Sequence, residues 1–132
     1  MVSGIGTDLV SVDRIRRAVE RTEGRFLLRV FTPAERDLCR EQNRAYECFA
    51  ARFAAKEAVL KALGIGLSGC RWHDIEVLRG RGGRPVVVLS GGAARAAARR
   101  GITEVLLSLA HEGNRAVAFA VAVGGVFVSE GG

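Results

Sequence analysis

At the centre of the chain lies the stretch Phe49-Ala50-Ala51-Arg52-Phe53-Ala54-Ala55-Lys56-Glu57-Ala58-Val59-Leu60-Lys61-Ala62, which holds both lysines of the sequence. The other eighteen of the twenty basic residues are Arg. Apolar side chains recur through this stretch at helical spacing, and Gly64 is a typical helix stop. We therefore predict one long helix over residues 46–63, with a broad apolar face against which the other elements pack.

Glu57 and Lys61 lie four positions apart, so a helix places their side chains on one face. An exposed Glu–Lys pair of this kind is common and contributes only roughly a few tenths of a kcal/mol. Phe53 and Leu60 beside this face place the pair near the core boundary, where a carboxylate is costly unless it is paired or bound to a metal. Spacing alone leaves both interpretations open. Lys56, about a hundred degrees around the helix from Glu57, is expected to be solvated.

Asp8 interrupts an otherwise apolar strand that we predict over residues 4–12, although Asp has a poor strand propensity. An outward-facing Asp on an alternating strand is one explanation. Gly4 and Gly6 beside it instead indicate that another element approaches the backbone closely. An Asp and a Glu from separate elements, with an ammonium nearby, suit a site for Mg²⁺ and a phosphate group.

The other predicted elements follow from capping signals, apolar periods and turn residues. They are helices over residues 12–25, 32–43 (opened by Thr32-Pro33-Ala34-Glu35) and 93–100, and strands over Ile75–Arg79, Pro85–Leu89, 104–110 and 115–123. Residues 116–123 are apolar on both faces, which predicts a strand covered on both sides, by helices or by another subunit. The sum is an α+β domain spanning residues 1–132, with a mostly antiparallel sheet wrapped around a long central helix.

Composition restricts the class of protein. With 132 residues, 48% of them hydrophobic and 26% charged, the chain is expected to fold as one globular domain rather than stay disordered. The net charge of +6 predicts an acidic partner, which can be a nucleic acid, an anionic membrane, a polyphosphate cofactor or an acidic protein. No signal peptide or bilayer-spanning stretch is visible, so we expect a soluble, cytoplasmic protein with no membrane partner.

The three cysteines, Cys39, Cys48 and Cys70, contain no C-x-x-C pair. This spacing argues against a zinc site and supports a disulfide framework only poorly. We expect buried free thiols in a reducing compartment.

The two blocks Gly4-Ile5-Gly6-Thr7-Asp8-Leu9-Val10 and Phe49 to Ala62 resemble the signature blocks of the holo-acyl carrier protein synthases, the small single-domain 4′-phosphopantetheinyl transferases. Shorter pieces fall in the order expected for that family: Phe31-Thr32-Pro33-Ala34-Glu35, Asp74-Ile75-Glu76-Val77, Gly83-Arg84-Pro85 and His111. The resemblance implies the 4′-phosphopantetheinyl transferase fold. It also implies a homotrimer with sites between neighbouring subunits.

The resemblance further implies an Mg²⁺-dependent transfer of 4′-phosphopantetheine from coenzyme A to a serine of an acidic apo-acyl carrier protein, with release of 3′,5′-ADP. Asp8 and Glu57 are the implied metal ligands, and Glu57 and Lys61 the implied catalytic residues. The residues expected to bind coenzyme A are Arg44, Arg52, Lys61, Gly64, Gly66, Pro85 and His111. The carrier could serve fatty acid, polyketide or peptide synthesis, and Mn²⁺ could replace Mg²⁺.

A basic stripe of Arg14, Arg17 and Arg21, extended by Arg25, is predicted to dock the acidic carrier, although such stripes are usually solvated faces. The sequence departs from the family pattern at Ser11, Ile65 and Ala110, where an acidic residue, Thr and Ser are common. These departures leave open a catalytically impaired subunit that only binds coenzyme A or a carrier. A nucleic-acid-binding domain is disfavoured because few aromatic residues are left for base stacking.

Overall fold

The structure, a computed structural model, describes residues 1–125. The elements in chain order are β1 (Val2–Ser11), α1 (Val12–Arg21), α2 (Arg25–Val30), α3 (Pro33–Arg40), α4 (Ala45–Leu63), β2 (Ile75–Arg79), β3 (Pro85–Leu89), α5 (Gly91–Arg99), β4 (Ile102–Glu112) and β5 (Arg115–Gly124). All strand pairings are antiparallel, in one three-stranded sheet of order β1-β5-β4 and one two-stranded sheet of β2 and β3. The predicted α+β class is confirmed.

The core forms where α4 packs on the inner face of the three-stranded sheet. The residues of β5 that face α4 are the buried alanines Ala116, Ala118, Ala120 and Ala122. Their small side chains allow the helix to lie close to the strand. Twelve of the nineteen residues of α4 are buried, because the helix lies at the centre of the domain.

The outer face of the same sheet remains largely uncovered in the single chain. Its apolar side chains include Ile5 (72% exposed), Leu9 (56%), Phe119 (54%) and Leu106 (48%). The cross-strand register places all four on one face, because Ile5 pairs with Val121, Val121 with Leu106, and Phe119 with Thr7. β5 is therefore covered by a helix on one side only, and its other side is available to a second protein.

Several helix boundaries follow from local capping. Thr32 and Glu35 form the predicted capping box at the start of α3, and Gly64 ends α4 in the left-handed conformation at φ 71°. The single helix predicted over residues 12–25 is wrong. α1 ends at Arg21, where Thr22 hydrogen-bonds back to Ala18, and a separate helix, α2, starts after Gly24 at φ 87°.

No helix within residues 1–125 is both long enough and apolar enough to cross a membrane.

Candidate active site

Asp8 reaches the candidate site because β1 packs directly on α4. A Cβ atom on Gly4 would overlap with the backbone oxygen of Ala62, and one on Gly6 would overlap with that of Ala58. The close approach of another element, predicted from Gly4 and Gly6, is therefore made by α4. Asp8, two residues after Gly6, lies on the same inner side of β1 and is half-buried.

Lys61 joins β1 to α4 at this point. Its Nζ lies 3.3 Å from Oδ1 of Asp8 and donates to the backbone oxygen of Thr7 at 2.9 Å. The side chain of Lys61 is 56% exposed, whereas that of Asp8 is 17% exposed. Lys61 thus pairs with Asp8 rather than with Glu57, and its ammonium group remains open to solvent on one side.

Glu57 lies one turn before Lys61 on α4 and is half-buried. Burial raises the pKa of Glu57 above its ordinary value, and the negative charge of Asp8 raises it further. Lys61 and Arg14 oppose the shift. A carboxylate with a raised pKa accepts a proton more readily than a solvated one, which suits a general base.

Asp8 and Glu57 together have the donors that Mg²⁺ prefers. Their charges repel each other enough to raise the pKa of Glu57, and a divalent cation between them would remove that cost. Within residues 1–125, no cluster of three or more His, Cys, Asp or Glu side chains could hold a metal. Two carboxylates still fit Mg²⁺, since this ion commonly takes one or two and completes its shell with phosphate and water.

A second cluster lines a cleft of about 600 Å³ at the other end of α4. It contains four of the predicted coenzyme A residues: Arg44, Arg52, Pro85 and His111. The cleft lies between the start of α4, the turn between β2 and β3, and the end of β4. Gln42, Asn43 and Glu47 also line the cleft, although no sequence pattern indicated them as binding residues.

Arg52 is fixed at the inner wall of the cleft and is only 6% exposed. Its Nε donates to the backbone oxygen of Val77 at 3.0 Å, and one terminal nitrogen donates to Sγ of Cys48 at 3.2 Å. Burial lowers the pKa of Arg52, and the carboxylate of Glu35 opposes this shift. Arg44 and His111 at the rim are exposed.

The chain does not bring all the predicted coenzyme A residues together. Lys61, Gly64 and Gly66 do not line the cleft. Lys61 lies nine residues after Arg52 on α4, about 13.5 Å along the helix axis, and Gly64 lies farther still. Asp8 is on one edge strand of the sheet and His111 on the opposite edge strand, with β5 between them.

The predicted docking arginines lie on the surface. Arg14, Arg17 and Arg21 are exposed on α1, and Arg25 at the start of α2 is exposed and pairs with Glu23 at 3.3 Å. Arg14 is close enough to Glu57 to lower its pKa. The basic stripe therefore begins beside the carboxylate cluster.

The prediction that Lys56 is solvated is wrong. Lys56 is fully buried, and its Nζ lies 2.8 Å from Oε1 of Glu35, which is also fully buried. The expectation of free thiols is also wrong for two of the three cysteines. Cys39 and Cys48 form a disulfide, and Cys70 is the free cysteine of the described residues.

The three departures from the family pattern have different surroundings. Ser11 caps α1, since its hydroxyl accepts from the backbone N–H of Arg14 at 3.0 Å. Ile65 is partly buried and packs against the core. Ala110 lines the cleft next to His111.

Comparison with known proteins gives consistent matches. Residues 4–120 match the 4′-phosphopantetheinyl transferase superfamily. The holo-[acyl-carrier-protein] synthase of Desulforudis audaxviator is 72% identical over 124 residues, covering 94% of this chain and 95% of the relative. Among solved structures, the holo-[acyl-carrier-protein] synthase of Neisseria meningitidis is 33% identical, with a TM-score of 0.86, covering 93% of this chain and 99% of that one. The Helicobacter pylori synthase in complex with coenzyme A is 31% identical, with a TM-score of 0.79, covering 90% and 99%.

Proposed function

The chain belongs to the 4′-phosphopantetheinyl transferase superfamily, and from that premise we propose that it transfers 4′-phosphopantetheine from coenzyme A to a serine of an apo-acyl carrier protein. The leaving product is 3′,5′-ADP. The observation that carries the proposal is the cluster of Asp8, Glu57 and Lys61, which lies where β1 packs on α4. The similarity to synthases over nearly the whole chain supports the same reaction.

Glu57 is the base for the serine proton in this proposal. In the absence of a metal, burial and the charge of Asp8 raise the pKa of Glu57, so that its carboxylate accepts a proton more readily than a solvated one. Lys61, with its ammonium open to solvent, places a positive charge where negative charge develops on the phosphate oxygens. Asp8 and Glu57 would hold Mg²⁺, which, when bound, neutralises charge on the pyrophosphate.

The cleft is the proposed site for the nucleotide end of coenzyme A. Arg44 and Arg52 supply positive charge for the 3′-phosphate, and His111 at the rim can donate a further hydrogen bond. Pro85 forms part of the wall. Gly64 and Gly66, near Lys61, would leave room for the pyrophosphate at the other cluster.

Within a single chain the two clusters lie apart. We therefore propose a homotrimer in which the cleft of one subunit meets Asp8, Glu57 and Lys61 of the next. The uncovered apolar face of the sheet supports this assembly, because a face with Ile5, Leu9 and Phe119 more than half exposed is typical of a protein interface. The two clusters lie toward opposite edge strands. A head-to-tail ring would therefore bring each cleft against a carboxylate cluster.

The basic stripe is the proposed docking surface for the acidic carrier. We expect Arg17→Glu combined with Arg21→Glu to raise the KM for the carrier at least about tenfold and to leave the KM for coenzyme A nearly unchanged, because rim charges govern encounter with a charged partner. Arg14 is left intact because it also acts on Glu57. Arg99→Glu, an exposed arginine on α5, is the matched control. Equal increases in both KM values would contradict the docking assignment.

The alternative, a subunit that binds coenzyme A or a carrier without chemistry, is favoured by Ile65 and Ala110, which lack the hydroxyl groups common at these positions. The complete cluster of Asp8, Glu57 and Lys61 speaks against it, since binding alone does not require a base beside an ammonium group.

The test is the intact mass of an apo-acyl carrier protein, first one of fatty acid synthesis, after incubation with the protein, coenzyme A and Mg²⁺. We expect the carrier to gain one phosphopantetheine, and to gain none with a chelator or with the Glu57→Ala protein. Glu104→Ala, which changes an exposed carboxylate on β4, is the control and should retain activity. No gain on several carriers, despite measurable coenzyme A binding, would favour the binding subunit.

A further inference from the structure

The disulfide between Cys39 and Cys48 lies at the wall of the cleft. Cys39 is fully buried near the end of α3, and Cys48 is in the first turn of α4, where its side chain lines the cleft. The sulfur of Cys48 is also the acceptor for the terminal nitrogen of Arg52 at 3.2 Å. The disulfide therefore contacts one of the two arginines that the proposed function assigns to the 3′-phosphate.

The same crosslink closes the segment that carries the other arginine. Residues 41–44 connect α3 to α4 and supply Gln42, Asn43 and Arg44 to the cleft. The backbone hydrogen bonds of this connection are local: Gln42 donates to Cys39 and Cys48 donates to Arg44, each at 3.1 Å. The disulfide joins the two ends of the segment covalently and limits the positions that Arg44 can reach.

We propose that the Cys39–Cys48 pair is a positioning element of the cleft, and that its thiol–disulfide state sets the affinity for the nucleotide end of coenzyme A. This inference rests on the proposed function. In the disulfide form, the crosslink restricts Arg44 before the ligand arrives, while Arg52 is held in either form by its bond to the backbone oxygen of Val77. In the dithiol form, binding itself must order Arg44 and the segment that carries it, and immobilising a long side chain on binding weakens the affinity.

The chemical change is a complete two-electron exchange. A small dithiol attacks the bridge through a mixed disulfide and leaves as a cyclic disulfide, while Cys39 and Cys48 each gain one hydrogen as thiols. Cys48 is the accessible sulfur, because it lines the cleft, whereas Cys39 is fully buried. The attack is therefore expected from the cleft side, and bound nucleotide should slow it.

The effect should be specific to nucleotide binding. Within one chain, Glu57 and Lys61 lie nine and thirteen residues after Cys48 on α4, about 13.5 and 19.5 Å along the helix axis, and in the proposed trimer the cluster that faces this cleft belongs to the next subunit. Reduction should therefore raise the KM for coenzyme A and leave kcat at saturating coenzyme A unchanged. A general loosening of the fold would lower kcat as well.

The experiment measures binding of 3′,5′-ADP by calorimetry to the oxidised and the dithiol-reduced protein. Alkylation and intact mass count the thiols in each sample, with one expected before reduction and three after it. We expect about tenfold weaker binding after reduction, the cost of ordering one long side chain and the segment that carries it. Cys39→Ser should bind like the reduced protein in both conditions, and Cys70→Ser should behave like the wild type.

Each outcome decides the inference. Equal affinity of the oxidised and reduced wild type for 3′,5′-ADP would overturn the inference and leave the proposed function standing. Three alkylated thiols after treatment with an oxidant would mean that Cys39 and Cys48 do not form a disulfide, with the same consequence. Because these comparisons use the wild-type chain, they do not depend on the folding of a variant. No binding of 3′,5′-ADP in either state would overturn the proposed function and this inference with it.

Discussion

Replacing Lys56 by Met should destabilise the protein far more than the same replacement at Lys61, on the same helix. The Nζ of Lys56 lies 2.8 Å from Oε1 of Glu35 and donates to the backbone oxygens of Trp72, at 3.1 Å, and Ile75. All three N–H groups of the ammonium are therefore satisfied in a site with no exposure to water.

Glu35 is held equally firmly from the other side. Its Oε1 accepts from the backbone N–H of Thr32 at 2.8 Å, and its Oε2 accepts from that of Val77 at 2.7 Å. The ion pair thus joins α3, α4 and β2. Removing the ammonium leaves the carboxylate buried with two neutral donors, and breaking a buried pair in this way costs about 3–5 kcal/mol. That is a large share of the roughly 5–15 kcal/mol of a typical domain.

The assay is unfolding in urea, followed by circular dichroism. Lys56→Met should lower the urea midpoint of unfolding by roughly 2 M. Lys61→Met should lower the free energy of unfolding of the protein by less than about 1 kcal/mol, because Lys61 is more than half exposed. Adding Glu35→Gln to Lys56→Met should cost less than the sum of the single changes, since no unpaired charge is left. Similar midpoints for the two lysine variants, or additive costs in the double variant, would contradict the role of Lys56 and Glu35 as a buried ion pair.

Three further predictions concern the packing of β1 on α4, the charge beside Glu57 and the capping of α1. Gly6→Ala should lower both the unfolding midpoint and the activity, because the added Cβ would overlap with α4. Gly69→Ala, where the nearest atom to an added Cβ is 3.7 Å away, should change neither. Equal effects of the two changes would contradict close packing of β1 on α4. Asp8→Asn should lower the pKa of Glu57, since the charge of Asp8 raises it, and an NMR titration of the Glu57 carboxyl carbon without metal ions checks the direction. An unchanged or higher pKa would argue against contact between these carboxylates. Asn114→Ala should lower the free energy of unfolding, measured in urea, by about 1 kcal/mol, because the Oδ1 of Asn114 accepts from the backbone N–H of Asp13 at 3.1 Å and helps to cap α1. An unchanged free energy of unfolding would contradict that role.

Local signals were sufficient for much of the fold. The strands β2 and β3 have the predicted ends, because β-branched residues alternate between a buried and an exposed face and Gly-rich turns bound them. The start of α3 follows from Thr32 and Glu35, which cap it within four residues of sequence. In both cases the interactions that decide the structure are near neighbours in the chain.

The errors arise where distant residues decide. Lys56 lies on a helix that is buried almost all round, so helical spacing could not separate a solvated side from a core side. Its partner Glu35 is twenty-one residues away, on another helix. The cysteine pair depends in the same way on how α3 meets α4, which no spacing motif reports. The division of the predicted coenzyme A residues between two clusters reflects the length of α4, which separates Arg44 and Arg52 from Lys61 and Gly64.

Complementation between two inactive variants tests whether transfer occurs at a site shared between copies of the chain. One chain would carry Glu57→Ala with one affinity tag, and the other Arg44→Ala with His111→Ala and a second tag. Trimers purified by both tags contain both chains, so each should hold one complete site. We predict about one third of the wild-type transfer activity, with almost none from either variant alone. Purified mixed trimers without activity above that of the separate variants would contradict a shared site.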